Sequence, residues 1–465
     1  MAEDTKIFVC MNLSGKRVLV VGLGDSGLAA ARWLFKQGSQ VTVSETKKDT
    51  ELDKNTLAYL LKSGIALELS GHKTNTFMES DLIVVSPGVP LDIEPLAQAR
   101  EKGIPVIGEL ELACRYIQTP CVAVTGTNGK STVVTLIGEI IRRGGKSAFV
   151  GGNIGRPVID YIDGEQTADY AVLEISSFQL DTTQTFSPFL ALILNISPDH
   201  LDRYADYHSY AKSKERIFAN QGPGQILILN DDDPWLSQLR PQNGVTLYKY
   251  GLGKKSGRNA YLIDGKIVVE LPGRKPISFD LDRFSLPGDH NRANLMGVTL
   301  SSLSLNIPPR SIQEAIDHFK GLPHRIELVD TLKGVSFYDD SKATNIDAAI
   351  KSIDSFSKPI VLIAGGRHKG SDYFPLVQTA SGKVKGAVFL GEASNLLAEA
   401  FGNTVSWRKA KNMVDAVSIA FDQAKEGDAD VVLLAPACSS FDMFTDYKHR
   451  GRVFREAVRK LKNGN

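Results

Sequence analysis

Three times along the 465-residue chain, short β-rich apolar runs alternate with longer helical patterns. That alternation admits few folds, because strands buried on both faces need crossover helices above and below, so each block reads as a mostly parallel α/β sheet. At roughly 150 residues per domain, the length also suggests three domains. The reading places a Rossmann-like first domain over 1–108, a central domain over 109–321 and a second Rossmann-like domain over 322–465. The stretch from Gln221 to Phe284, with short strands, turns and many charges, reads as peripheral hairpins before a helix near Asn291. Lys320 to Pro323 breaks the pattern and reads as a hinge.

Charge and cysteine usage narrow the function classes. Lys and Arg number 54 against 53 Asp and Glu, so no basic nucleic-acid footprint is expected, and any anionic ligand must meet local cations. Cys10, Cys114, Cys121 and Cys438 form no CxxC pair, which fits a reducing cytoplasm. The N-terminus carries two acids before any apolar run, and no segment approaches the ~18 apolar residues of a membrane helix. No membrane insertion is expected. His, Cys and carboxylates do not cluster at zinc spacing, so a metal would be held by hard oxygen donors.

The sharpest motif is GTNGKST at Gly126 to Thr132, after the apolar strand Cys121 to Thr125 and before the helical run Val133 to Ile141. Glycines let backbone N–H groups converge on phosphate oxygens, the helix N-terminus adds positive character, Lys130 neutralises the β/γ-phosphates and the Ser131 hydroxyl can ligate magnesium. Gly126, Thr127, Asn128, Gly129 and Thr132 complete this ATP loop. Its spacing is G-x-x-G-K-[ST], with Val124 where the longer motif has its first glycine. Mg–nucleotide sites draw carboxylates from neighbouring strand ends. Glu174 and the Asp199-His200 pair lie at such ends.

A second signature, Gly22-Leu23-Gly24-Asp25-Ser26-Gly27, matches G-x-G-x-x-G after a strand, with Glu45 ending the next one. On pattern alone this is a nicotinamide site, yet a UDP-linked ligand satisfies the same physics of a diphosphate at a helix N-terminus. The third block supplies Arg325, Lys342 and Lys369 near loops. Arg325 could stabilise a phosphate in transfer, and two lysines could clamp the carboxylates of an acidic substrate.

Taken in order, these blocks resemble the Mur ligase family over essentially the whole chain. The match rests on GTNGKST at 126–132, GGNIG at 151–155, EISSFQ at 174–179, SPDHLD at 197–202, GDHNRAN at 288–294, LPHR at 322–325 and DSKATN at 340–345. The resemblance implies ATP-driven peptide-bond synthesis. The alanyl carboxylate of UDP-N-acetylmuramoyl-L-alanine takes the γ-phosphoryl group of ATP, and the amine of D-glutamate attacks the acyl phosphate. It further implies two Mg2+ ions and neither NAD nor zinc. Lys130, Glu174, His200 and a carbamylated Lys214, preferred over Lys212, would be catalytic, with Ser131, Glu174, His200 and Lys214 serving metal. Asn291, Asn294, Arg325 and Asp340 would join the ATP loop. Asp25, Ser26, Glu45, Thr46, Lys47, Gly88, Asn153, Ser176, Gln179 and His200 would contact the UDP substrate, Asp25 with its acid turned outward. Lys342, Thr344, Lys369, Ser440 and Phe441 would receive D-glutamate. A cytoplasmic monomer is expected.

Four rivals make different predictions. A ligase adding another amino acid, or a folate-type polyglutamate ligase, would share the ATP domain, but the full first domain argues against the folate branch. A nicotinamide oxidoreductase would bind NAD(P)H and need no ATP, leaving the loop at 126–132 without a role. A nucleotide-switched binding module would bind ATP without hydrolysis stimulated by both co-substrates.

Overall fold

The computed structural model describes residues 11–464 apart from Ser285 and Pro287. Cys10 and the acids at the chain start lie outside the described residues. The chain forms three sheets in sequence, and three α/β domains are built around them.

The first sheet holds β1 (Arg17–Val21), β2 (Gln40–Ser44), β3 (Ala66–Glu68), β4 (Leu82–Val85) and β5 (Val106–Gly108), in the order β3-β2-β1-β4-β5. All its pairings are parallel. Chain direction across the sheet reverses between β1 and β4, which opens a crevice beyond their C-terminal ends. The helix after β1 runs Asp25–Lys36, three residues earlier than its apolar stripe suggests. Its first turn faces the crevice rather than the core, so hydrophobic periodicity does not mark it.

The second sheet has nine strands: β6 (Cys121–Thr125), β7 (Ala148–Gly152), β8 (Tyr170–Glu174), β9 (Leu190–Ile193), β10 (Ile226–Asn230), β11 (Thr246–Gly251), β12 (Ala260–Ile263), β13 (Lys266–Val269) and β14 (Ile277–Asp280). The order is β14-β13-β12-β11-β10-β9-β6-β8-β7. The expectation of peripheral hairpins over Gln221–Phe284 is only half met. β10 joins β9, and β11 joins β10, in parallel, and only β12 to β14 pair antiparallel. The reason lies in helix Asp289–Ser304, which is buried from Asn294 to Leu303 and packs its Leu295 and Met296 into the same core as Ile228 and Tyr250. A helix buried on nearly every side demands a sheet beneath it, not a loose hairpin.

Strand β6 is buried at every position and lies between β8 and β9. The following helix Lys130–Arg143 buries Val133, Val134, Leu136, Ile137, Ile140 and Ile141 and stops at Gly144. Truncating a fully buried side chain such as Ile137 would cost about 2–5 kcal/mol, so the phosphate loop is seated on a rigid strand–helix unit.

The third sheet comprises β15 (Glu327–Leu332), β16 (Val335–Asp339), β17 (Ile360–Gly365), β18 (Val384–Leu390), β19 (Trp407–Lys409) and β20 (Val431–Leu434), ordered β15-β16-β20-β17-β18-β19. Only the β15–β16 pair is antiparallel. The loops after β16, β20 and β17 therefore stand side by side. Among the described residues, no helix is long and apolar enough to cross a membrane.

Candidate active site

The loop between β6 and helix Lys130–Arg143 has two glycines at positive φ, Gly126 at 149° and Gly129 at 91°. A Cβ at Gly129 would come within 2.7 Å of the Asn294 amide, so only glycine lets helix Asp289–Ser304 approach the loop this closely. Lys130 Nζ folds back and donates to the carbonyls of Gly126 at 2.8 Å and Thr127 at 2.9 Å. Burial pushes its pKa down, opposed by the charges of Glu174 and Asp199. The backbone N–H of Asn128 donates to Asn195 Oδ1 at 2.9 Å, tying the loop to the strand exit beyond β9.

Glu174 ends β8 and is 2% exposed. Its Oε1 accepts from Asn153 Nδ2 at 2.9 Å, while Oε2 is buried with no hydrogen-bond partner. Burial disfavours its charge, but Lys130 and Asn153 outweigh this and lower the pKa. A buried carboxylate oxygen without a geometric hydrogen-bond partner, with the Ser131 hydroxyl beside the carboxylate, fits a hard cation. Ser131, the next donor, is buried at the same helix start. Ser176 and Gln179 form a capping box on the short helix Ser177–Leu180 after β8.

His200 sits at φ 56°, a strained conformation for a non-glycine residue. Its ring packs edge-on against Phe178 at 4.8 Å. Burial lowers its pKa to about 4, with the charge of Asp199 acting the other way, so the imidazole is neutral at pH 7. Asp199 is held below the ordinary carboxylate range, where burial is outweighed by Lys369, His200 and Asn345.

The two candidate lysines of helix Tyr207–Glu215 have opposite environments. Lys214 is 1% exposed, donates to the Gly126 carbonyl at 3.0 Å and lies 4.7 Å from the Tyr210 ring centre. Burial, then the charge of Lys130, drives its pKa well below the usual lysine value. Lys212 is solvent-facing and pairs with Glu215 at 2.9 Å. Burial of the Lys214 amine favours its neutral form, the form that reacts with CO2.

A cavity opens beside the phosphate loop, between the central and third domains. Asn128, Gly129, Thr132, Asn291, Asn294, Arg325, Asp340 and Lys342 line it. Asp340 is buried against the Ser352 hydroxyl, and burial raises its pKa to about 6. Sequence reasoning missed His290, Leu322, Lys351 and Ser352, which line the same cavity. His290 was legible inside GDHNRAN and Leu322 inside LPHR; Lys351 and Ser352 are ordinary types whose position depends on domain packing.

The loops after β16, β20 and β17 carry Lys342 and Thr344, Ser440 and Phe441, and Lys369 respectively. Lys369 Nζ reaches Asp199 Oδ1 at 3.3 Å across the domain boundary. Burial, with Arg325, lowers the Lys342 pKa to about 7. Ser440 is buried, whereas Phe441 is 64% exposed. The aromatic ring that meets Lys342 is Tyr447, with Nζ 4.0 Å from its centre. Arg450, 2% exposed, is a further residue the sequence did not flag. Its guanidinium donates to Ser341 Oγ and to the carbonyls of Ser341, Gly365, Cys438 and Ser439. It thereby staples the three strand ends together.

In the first domain, Ser86 Oγ donates to the Gly22 carbonyl at 2.8 Å, joining the turn after β1 to the loop carrying Gly88. Asp25 and Gly88 are exposed at this crevice, as are Thr46 and Lys47, and Ser26 is half-buried. Glu45 is 8% exposed, and its carboxylate accepts from the N–H of Leu23 at 2.7 Å, the N–H of Lys47 at 3.1 Å and the Thr46 hydroxyl at 3.1 Å. It therefore closes the glycine turn from within. A nicotinamide dinucleotide site would need that acid turned toward a ribose.

A phosphate loop beside a buried carboxylate, faced by lysines from the third domain and preceded by a parallel α/β domain with a glycine-rich turn, is the arrangement of a nucleotide-dependent ligase. Family models agree along the chain: the Mur ligase MurD-like N-terminal domain matches 16–108, the Mur ligase middle domain 124–301, and the Mur ligase glutamate ligase domain 324–438. The chain belongs to the Mur ligase family. It is 43% identical to the UDP-N-acetylmuramoylalanine–D-glutamate ligase of Geotalea daltonii over 98% of this chain and 99% of that protein. It is 44% identical to the ligase of the same name from Acidobacterium capsulatum, covering 96% and 97%. The fold is similar to a pseudomurein peptide ligase type C from Methanothermus fervidus, with a TM-score of 0.61 at 19% identity over 96% of this chain and 100% of that one.

Proposed function

We propose that this chain joins D-glutamate to UDP-N-acetylmuramoyl-L-alanine in an ATP-driven step of peptidoglycan precursor synthesis. The observation that carries the reading is the convergence of Lys130, Glu174, Lys342 and Lys369 on one cleft, in a chain whose full-length relatives bear that activity in their names. On this reading the domains divide at 1–108, 109–321 and 322–465, the enzyme works as a monomer in the cytoplasm, and each domain brings one substrate.

Carboxylates are poor acyl donors until activated. An oxygen of the alanyl carboxylate attacks the γ-phosphorus of ATP and ADP leaves. The amine nitrogen of D-glutamate then attacks the carbonyl carbon, phosphate departs, and the amine proton is lost. Lys130 draws the anionic carboxylate and γ-phosphoryl group together, which their mutual repulsion otherwise opposes. Arg325 and Asp340 border the nucleotide with Asn291 and Asn294. Neutral His200 and Asn153 orient the muramoyl end beside Ser176 and Gln179, while Asp25, Ser26, Glu45, Thr46, Lys47 and Gly88 frame the UDP end. Lys342 and Lys369 meet the two carboxylates of D-glutamate, with Thr344, Ser440 and Phe441 on adjoining loops.

Mg2+ would be held by Ser131, Glu174, His200 and Lys214 as its carbamate, and when bound it spreads the phosphate charge. The unpaired Glu174 Oε2 and the desolvated Lys214 amine support that donor set.

The test offers purified protein Mg-ATP and UDP-N-acetylmuramoyl-L-alanine with D-glutamate, L-glutamate, L-lysine or no amino acid, and reads products by mass with phosphate release. Product with D-glutamate alone is the expected outcome. Coupling of a different amino acid would sink the substrate assignment, and tight NADH binding without ligation would sink the enzyme class.

A further inference from the structure

At the junction of the third domain with the phosphate loop, one carboxylate grips residues from both sides. Asp347 lies in the first turn of helix Ile346–Asp354. Its Oδ2 accepts from Asn128 Nδ2 at 2.6 Å, from Ser197 Oγ at 2.9 Å and from Lys351 Nζ at 2.7 Å. Asn128 belongs to the phosphate loop and Ser197 to the turn leading to His200, both in the central domain. The neighbouring Asn345 caps the same helix through Ala348 N at 2.8 Å and sends its Nδ2 to Asp199 at 2.9 Å. The helix is thus fastened across the boundary by two adjacent residues.

The geometry favours a functional coupling over a plain surface contact. The Asp347 side chain is 26% exposed, and hydrogen bonds to an ionised carboxylate are stronger than neutral ones when water is partly excluded. Asn128 is fixed from two directions, its N–H by Asn195 and its amide by Asp347. Asn128 and Lys351 also line the nucleotide cavity. A nucleotide that orders this loop therefore orders the acceptor's partners, and a closed third domain orders the loop.

We infer that Asp347 is a positioning residue: a latch through which nucleotide binding at the phosphate loop and closure of the third domain favour each other. The amino acid that rewards closure rests on the reading above; the latch does not. By linkage the effect is reciprocal, so D-glutamate tightens nucleotide binding by the factor with which nucleotide tightens D-glutamate.

The experiment titrates a non-hydrolysable ATP analogue into the full chain by calorimetry, with and without saturating D-glutamate plus UDP-N-acetylmuramoyl-L-alanine. In wild type the co-substrates tighten the analogue. In Asp347→Ala that tightening factor falls about tenfold, or to one, the scale of a lost hydrogen bond to a charged group, with little change in melting temperature. Asp347→Asn, which keeps an acceptor but loses the charge facing Lys351, falls between. Should the alanine variant not fold, Ser197→Ala removes one arm and lowers the factor less. A wild-type factor of one with D-glutamate and with L-lysine alike, or an unchanged factor in the folded variants, overturns the latch. If L-lysine rather than D-glutamate tightens the analogue, the substrate reading fails while the latch is read with that amino acid.

Discussion

The turn after β1 and the loop after β6 are built alike, each a buried parallel strand, a glycine-rich turn and a helix N-terminus, yet they are furnished for different work. At the first, Asp25 is exposed, no lysine stands at the helix start, and Glu45 is consumed by its own loop. At the second, Lys130 is buried among Glu174, Asp199 and Lys214. Backbone amides and a helix dipole suffice to dock a diphosphate that does not react. Moving a phosphoryl group requires mobile-charge compensation as well, and that is what desolvated lysines and carboxylates supply.

The largest effect that could break this contrast is at Lys130. Lys130→Ala should lower turnover by roughly 10²–10³-fold or more, while calorimetric affinity for the UDP substrate stays near wild type. Equal losses in both would mean the two turns are not separate in function. Next, Lys214→Ala should lower turnover by about 10²-fold and Lys212→Ala hardly at all. Similar losses for the two in steady-state assays would remove the case for a desolvated amine.

Smaller but sharper is a pH comparison. Free Lys342 titrates at about 7, and a substrate carboxylate favours the ammonium form. Above pH 7 the free site loses its charge, so binding must restore a proton, and KM for D-glutamate should rise by up to about tenfold per pH unit. Below pH 7 it should level off. The backbone amides at Gly22–Ser26 do not titrate, so if the UDP substrate docks there as proposed its KM should stay flat from pH 7 to 9. Parallel profiles in initial-rate measurements would count against Lys342. The smallest effect concerns stability. His200 and His290 both have pKa values lowered to about 4, chiefly by burial. Their contribution is present above the unfolded histidine value and lost as pH falls from about 6.5 toward 4, which a denaturation series would register as a falling midpoint.

Much of the site was readable because its chemistry is local. GTNGKST carries strand exit, glycines, lysine and hydroxyl in one run, and the positive φ values of Gly126 and Gly129 are those such a loop needs. Asp199 and His200 were readable as polar residues following an apolar run, and they lie in the loop beyond the strand that ends at Ile193. Other features were not. Lys212 and Lys214 are two residues apart on one helix, and sequence spacing alone does not reveal that one is buried and the other solvent-facing. Phe441 follows Ser440 directly, yet it projects into solvent while Tyr447, at the start of the last helix, packs on Lys342. The parallel entry of β10 and β11 was hidden because their partner, helix Asp289–Ser304, is apolar on several faces and shows little periodicity.

Strand periodicity and the glycine turns, by themselves, determined three α/β units and two glycine-rich helix starts, since those depend on neighbours a few residues apart. The tertiary structure decided which charges are desolvated, which lysine is buried, and that Asp347 reaches Asn128 across a separation of 219 residues. Burial and long-range contact are properties of the packed chain, and they set the pKa values and alignments on which the chemistry turns.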